Sequence, residues 1–364
     1  MATTDATTAG SVVLKHANPS FAQTWNRLSI NDVTLEVPAL PATPASGAPA
    51  PELASIEMGG GEALTGWLDA AAASREQVRV PADGETHDVV IAIDGVHAAD
   101  VVAEPGARAR VVVVAGPQPA GSTAGSALRI LAEKGSHVEL LEVVAAGDEA
   151  AFAESCGIRA AEDATVEVRH YLLGAATSVV GFACDLAGAR SSLSLSTRFL
   201  TGTGEKTDMN YLARMRGCDT RCRLTFSGVL EEGASKRLAD TIDLVHGGKG
   251  AKGAEDETVL VNGARIRNLS LPSVLCDEDD VEGTHGATIG SVSGEQLAYL
   301  TCRGLTDEEA RELFVRSAFD DCLLHVPEAR EQVLGAARAA LGDEAAAELS
   351  DEAADETAWT RGEA

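Results

Sequence analysis

The side chains in this sequence best suited to hold iron are the thiol of Cys276 and the imidazole of His285. They lie nine positions apart, across the acidic run Asp277, Glu278, Asp279 and Asp280 and the permissive Gly283. Thiolate and imidazole both ligate iron, and a chain reversal between them would bring them to one edge. The plainer alternative is an inward Cys276 and a histidine that satisfies a buried carbonyl, since one ligand rarely makes a site. The acidic run is most simply a solvated turn, although its hard oxygens also suit transient Fe²⁺.

Other chemistry-bearing residues are more dispersed. Cys218 and Cys222, placed on one strand, would stand about 13 Å apart at ~3.3 Å per residue, too far to share a tetrahedral metal. Cys156, Cys184, Cys302 and Cys322 are isolated in sequence. Seven cysteines without an export signal read as reduced thiols and not as a disulfide framework. A glycosidase would need paired carboxylates on one face. Glu139 and Glu142 fall on opposite faces of their strand, and Glu167 near His170 has no second acid beside it. The glycine-rich segment 246–253 lacks the Gly-Lys-Ser/Thr ending of a phosphate loop, so no nucleotide is expected on this chain.

Positioning falls to a body of short strands. Residues 88–93, 108–114, 137–144, 165–172, 192–196 and 221–226 are β-branched or alternate with period two. Small turn pairs at Gly106, Gly135, Asp163, Gly188, Gly217, Gly233 and Gly263 precede new runs, most of them spaced by about 25–30 residues, the interval of a repeating coil. The fold class is therefore mainly β, a parallel β-helix core with small helical N-terminal and C-terminal regions. A sandwich stays open because Gly217 and Gly233 are closer together than the rest.

Four regions follow. Residues 1–85 form a helical and loop region, with short helices over 20–30 and 62–75 and a Pro/Ala linker over 38–51. Residues 86–293 are the β-helix and residues 294–349 a helical domain. Residues 350–364 make a disordered acidic tail. In the third region Thr306 and Glu309 form a capping box. The helix that follows carries an apolar stripe at Ala310, Leu313, Phe314, Ala318, Phe319 and Leu323, most of which should dock on the β-body.

With 56 acidic and 29 basic residues the formal charge is -27, which repels a phosphate backbone, and 4% aromatic content offers few stacking platforms. Nucleic acid is not an expected partner. The N-terminus lacks a basic, then continuously apolar, secretory pattern and no window is long enough to span a bilayer, so a soluble, cytoplasmic protein is expected.

The ordered set Asp279, Asp280, Val281, His285, Gly286, Ala287, Thr288, Gly290, Gln296, Leu297, Tyr299, Leu300, Arg303, Gly304, Glu308, Glu309 and Ala310 resembles the C-terminal signature of the SufB/SufD family of iron-sulfur cluster assembly scaffolds. Thr24, Trp25, Asn26, Arg27 and Leu28 echo a segment that begins many SufD-type chains. The resemblance implies a right-handed parallel β-helix. It also implies a non-enzymatic SufD-like subunit that pairs with a SufB-like subunit and binds a SufC-like ATPase through its C-terminal helices, with a transient cluster at the subunit interface. His285 would face the partner as an interface ligand, and Cys276 is a weaker candidate from spacing alone. Thr284 and Gly286 stand where the SufB branch tends to carry glutamates, which points to the SufD side; Gly283 stands where a SufD cysteine can occur. The alternatives are a homodimer working with SufC alone, its two His285 side chains sharing the site with Cys276, and a carbohydrate-active β-helix protein.

Overall fold

The computed structural model describes residues 4–6, 10–22, 33–40, 46–290 and 294–350. Its body is a solenoid of two eight-stranded parallel sheets. One contains β4 (Arg75–Val80), β6 (Val96–Ala103), β8 (Thr123–Ala132), β10 (Gly147–Ala160), β12 (Ala175–Leu186), β14 (Lys206–Met215), β16 (Ser235–Leu244) and β18 (Arg267–Cys276). The other contains β5 (Thr86–Ile93), β7 (Arg108–Ala115), β9 (His137–Val144), β11 (Thr165–Leu172), β13 (Ser192–Thr201), β15 (Arg221–Glu231), β17 (Lys252–Asn262) and β19 (Glu282–Gly290). Every strand pairs with the strand two places on, one coil away, so the parallel β-helix expectation holds and the sandwich does not.

Period-two patterning dictates the interior. On β9, Val138, Leu140 and Val144 point inward with Glu142; on β11, Val166, Val168 and Leu172 point inward with His170. Coil stacking puts like position over like position, as in Leu140 over Val168 over Leu195 over Leu224. Full burial of each such leucine contributes roughly 1.5–3 kcal/mol.

Two columns of turns explain the irregular spacing seen in sequence. One precedes the odd-numbered strands at Gly106, Gly135, Asp163, Arg190 and Asp219, all at positive φ. The other precedes even-numbered strands at Gly174, Gly204 and Gly233. Gly217 and Gly233 belong to different columns, hence half a coil apart. The same geometry moves Cys218 off the strand where the sequence placed it and into a turn, while Cys222 lies buried on β15.

The N-terminal region departs from the helical expectation. Among the described residues it holds a three-stranded antiparallel sheet, β1 (Thr4–Ala6), β2 (Ser11–Ala17) and β3 (Val33–Pro38), and one helix, α1 (Gly61–Ala71). The alternation of Val33, Leu35 and Val37 with polar residues is a strand pattern, and Leu35 and Val37 are buried on that period. The solenoid starts at Arg75, earlier than position 86. Residues 23–30 of the predicted helix and the echo at Thr24–Leu28 lie outside the described residues, as do most of the 38–51 linker's first half and the tail beyond 350, while residues 20–22 are not helical.

Helix α1 buries Leu64, Trp67 and Leu68 on the outer face of the even-numbered sheet against Ala98, Ala127, Ala153 and Val179. The segment leading into it crosses so close that a Cβ on Gly59 would sit 2.0 Å from the Phe182 nitrogen, so only glycine fits there. At the far end α2 (Gly294–Thr301), α3 (Asp307–His325) and α4 (Arg330–Leu341) follow the last strand. Thr306 caps α3, accepting from Glu309 N at 3.2 Å while the Glu309 carboxylate accepts from Thr306 N at 2.6 Å. Helices α3 and α4 fold back over the outer face of the odd-numbered sheet, packing Val315, Ala318, Phe319, Cys322, Val333 and Ala337 on Val112, Leu141, Val143 and Tyr171. Arg110 pairs with Glu328 at 2.6 Å and Arg198 with Asp321 at 2.9 Å, fixing the register of that docking. Leu313, placed in the buried stripe by its spacing, instead faces solvent at 42% exposure.

Candidate functional site at the open end of the solenoid

His285 and Cys276 both lie on the last coil. Strand β18 stacks on β16 with Leu244 opposite Cys276, and β19 stacks on β17 with Glu255 opposite His285. Leu244 and Glu255 are buried inward residues, so Cys276 and His285 occupy inward rows. Nothing stacks above them among the described residues, because β18 and β19 end their sheets. Gly283, His285, Ala287 and Ile289 are consequently exposed, although their parity is that of core residues; Ile289 is 53% exposed. At the opposite end the inward Val80, Val89, Ile91 and Ile93 are all buried.

The turn between β18 and β19 is well tied. Glu278 accepts from Gly247 N at 2.9 Å and from Asp279 N at 3.1 Å, and Asp280 O accepts from Gly250 N at 2.7 Å. These backbone donors hold the Glu278 carboxyl below its ordinary range. The glycine-rich segment 246–253 is therefore the adjoining turn of the neighbouring coil and leads into strand β17, with no helix following it. The Cys276 thiol donates to Glu278 O at 3.3 Å. The turn thus puts Cys276 and His285 on the same coil, and no hydrogen bond joins them among the described residues.

Beneath the open row is a buried acidic layer. Asp240 and Glu255 are pushed up to about 7 and about 8, in each case by burial first and by neighbouring carboxylates second. Lys236, fully buried, pairs with Glu257 and reaches Ser270 Oγ at 3.0 Å. This layer lies one coil below His285 and would be the floor of anything bound there.

A second buried polar group occupies the middle of the solenoid and is not evident from the sequence. Glu142 lies opposite His170 on adjacent coils, their Oε2 and Nε2 3.5 Å apart, and Glu154 approaches from the other sheet. Glu167, which has no second acid beside it on its own strand, stands opposite Glu139 on the neighbouring coil, and His170 stands opposite Glu142. The available signal was that Glu142, Glu154 and His170 each fall on the apolar parity of a strand. Burial pushes Glu142 up to about 7 and His170 down to about 3. These carboxyls are sealed from solvent, so they cannot serve a polymeric sugar.

All seven cysteines are free: Cys156, Cys184, Cys222 and Cys322 are buried, and Cys218, Cys276 and Cys302 exposed. Burial raises the thiol pKa of the first four, which makes them inert packing groups. Between α3, α4 and one turn column lies a cleft of about 910 Å³ whose acidic rim includes Asp148, Glu205, Glu231 and Glu312. Its field opposes a phosphate ligand.

Residues 95–318, more than half of the chain, match the family model described as SUF system FeS cluster assembly, SufBD core domain. The chain belongs to the SufBD family. Over 88 residues it is 35% identical to the iron-sulfur cluster assembly protein SufD of Bacillus subtilis, covering 24% of this chain and 20% of that one. It is 27% identical over 157 residues to SufD of Escherichia coli, covering 43% and 37% of the two chains. It is 30% identical over 131 residues to a SufBD family protein of Pyrococcus horikoshii, covering 35% and 39%. The aligned stretches span between one fifth and two fifths of these relatives. The matched core includes all of the solenoid from β6 onward, helix α2 and the first part of α3, and thus both His285 and the buried Glu142 group.

Proposed function

We propose that this SufBD chain is a SufD-like scaffold subunit whose last coil is completed by a SufB-like partner, with a nascent iron-sulfur cluster built at the junction. The observation that carries this is the exposed inward row of β19. A sheet edge with unpaired backbone groups and an apolar, inward-type residue such as Ile289 left 53% exposed is a template for another strand pair. Pairing would bury that row as Ile91 is buried at the other end. His285, standing in the row, would then be held between two chains with its imidazole available to iron, and Cys276 would lie on the same rim as a weaker candidate. The cluster is cargo, passed on once made.

The chain itself would turn over no substrate. ATP hydrolysis would belong to a SufC-like ATPase docked on the C-terminal helices, where Leu313 and Leu324 are 42% and 57% exposed. Because α3 is tied to β13 by Arg198–Asp321 and the turn between α3 and α4 to β7 by Arg110–Glu328, force applied to these helices would reach the solenoid directly. Among the described residues no helix is long and apolar enough to cross a membrane, and the setting we propose is the cytoplasm.

The test is co-purification of tagged wild type and His285→Ala from the native host, followed by anaerobic reconstitution read by visible absorbance. Both forms should retain SufB-like and SufC-like partners, and only the variant complex should fail to acquire cluster. Recovery of the chain with SufC alone and a second copy of itself would favour the homodimer. Cluster of equal yield in the variant would remove His285 from the site.

A further inference from the structure

We propose that Glu142, Glu154 and His170 form a buried site for a divalent transition-metal cation, of the Zn²⁺ or Fe²⁺ class, inside the middle coils of the solenoid. This goes beyond the interface reading and does not depend on it. The three residues are at most 1% exposed, and one ligand atom from each lies within 4.8 Å of the other two. Both oxygens of Glu142, both oxygens of Glu154 and Nε2 of His170 have no hydrogen-bond partner. Three ligand atoms, one from each residue, converge in a sealed interior where the two carboxyls can satisfy each other only by sharing a proton, and a cation bridging all three would satisfy them together; each buried group left unsatisfied costs on the order of 1–3 kcal/mol.

The arrangement has the marks of ligation. His170 Nδ1 is engaged by the Tyr211 hydroxyl at 3.0 Å, and that hydroxyl accepts from Thr197 Oγ1 at 3.1 Å. A histidine whose other nitrogen is fixed by an outer partner presents Nε2 in a set direction, as metal-bound histidines do. Phe182 packs edge-on against the ring with centroids 5.6 Å apart, locking its orientation. The 3.5 Å between His170 Nε2 and Glu142 Oε2 matches the ~3.4 Å edge of a tetrahedron with ~2.0–2.2 Å bonds. Two carboxylates around M²⁺ are also neutral overall, whereas two bare carboxylates in this interior are not. The donor set, one imidazole and two carboxylates, suits Zn²⁺ or Fe²⁺ better than a hard cation. The site would tie the two sheets together through β9, β10 and β11. Because it is sealed, metal would enter as the chain folds and would displace any proton the carboxyls hold.

The experiment uses the full chain and Co²⁺ as a spectroscopic probe. Wild type refolded from denaturant with Co²⁺, then desalted, should retain about one ion per chain with visible ligand-field bands. Folded chain soaked in Co²⁺ should take up at least tenfold less in the same time. Glu142→Gln and Glu154→Gln, which keep side-chain shape, should each lower retention at least tenfold with the far-UV circular dichroism unchanged, while His285→Ala should keep it. Wild type that refolds and holds no Co²⁺ would overturn the site in favour of a proton shared by the carboxyls. Equal retention in the carboxamide variants, or loss only in His285→Ala, would move the metal elsewhere and overturn it as well. Neither result bears on partner recovery or cluster yield, so the interface reading stands or falls separately.

Discussion

The first and last coils of the solenoid are built from the same kind of strand and end differently. On β5 the inward Val89, Ile91 and Ile93 are at most 6% exposed. On β19 the inward row contains Gly283, His285, Ala287 and Ile289, all exposed, and the layer beneath is acidic instead of aliphatic. One end has its inward row buried and the other is left with an exposed row of mostly small residues that gains little from collapse on itself. The difference teaches that parity alone does not decide whether a residue is core; what lies on the next coil decides it. His170 and His285 make the same point. Both stand inward, yet the first is sealed between coils and the second meets solvent.

The largest effect should come from the closed end. Ile91→Ala removes a buried side chain from the first coil and should lower the unfolding free energy by about 2–5 kcal/mol, read by chemical denaturation of the isolated chain. A loss under about 1 kcal/mol would mean that this end is looser than its burial indicates.

An intermediate effect should come from the acidic layer under the last coil. Asp240 and Glu255 have folded-state pKa values raised to about 7 and about 8. Each keeps a proton that the unfolded chain has lost by pH 5–6, so the native state binds more protons in that interval. Their contribution is fully present below the unfolded carboxyl pKa near 4 and is lost as pH rises through about 7 to 8. Thermal stability of the isolated chain should fall from pH 5 to pH 8.5. Glu255→Gln should flatten that slope, and an unchanged slope would show that Glu255 is ionised throughout.

The smallest effect on stability should come from Ile289→Ala, within about 0.5 kcal/mol, because its side chain is already in water. Binding of the partner should nevertheless weaken. If this substitution destabilised the isolated chain as much as Ile91→Ala does, the contrast between the two ends would collapse.

Much of this fold was legible because a solenoid is local pattern repeated. Alternation gave the strands, turn glycines gave the coil, and Thr306 with Glu309 marked the start of α3. The N-terminal sheet was less legible: Val33, Leu35 and Val37 carry a strand pattern only six residues long, and the antiparallel pairing of β2 with β3 is not written in either strand alone. The site was legible only in part. His285 emerged from a family signature, but its exposure depends on β19 being last. Glu154 and His170 are 12 and 28 residues beyond Glu142 along the chain, and the three meet only because two coils superpose. Leu313 missed the buried face because α3 packs on a sheet that accepts Val315 and Phe319 but not the flank beyond them.

The most direct test of the open-end account is amide hydrogen exchange of this chain alone and in complex with the SufB-like subunit from the same host. Protection gained on binding should concentrate in residues 267–290, the two edge strands and their turn, and should leave β4 and β5 unchanged. Protection appearing at the first coil, or over the C-terminal helices with none on β18 and β19, would contradict the claim that the last coil is the docking edge.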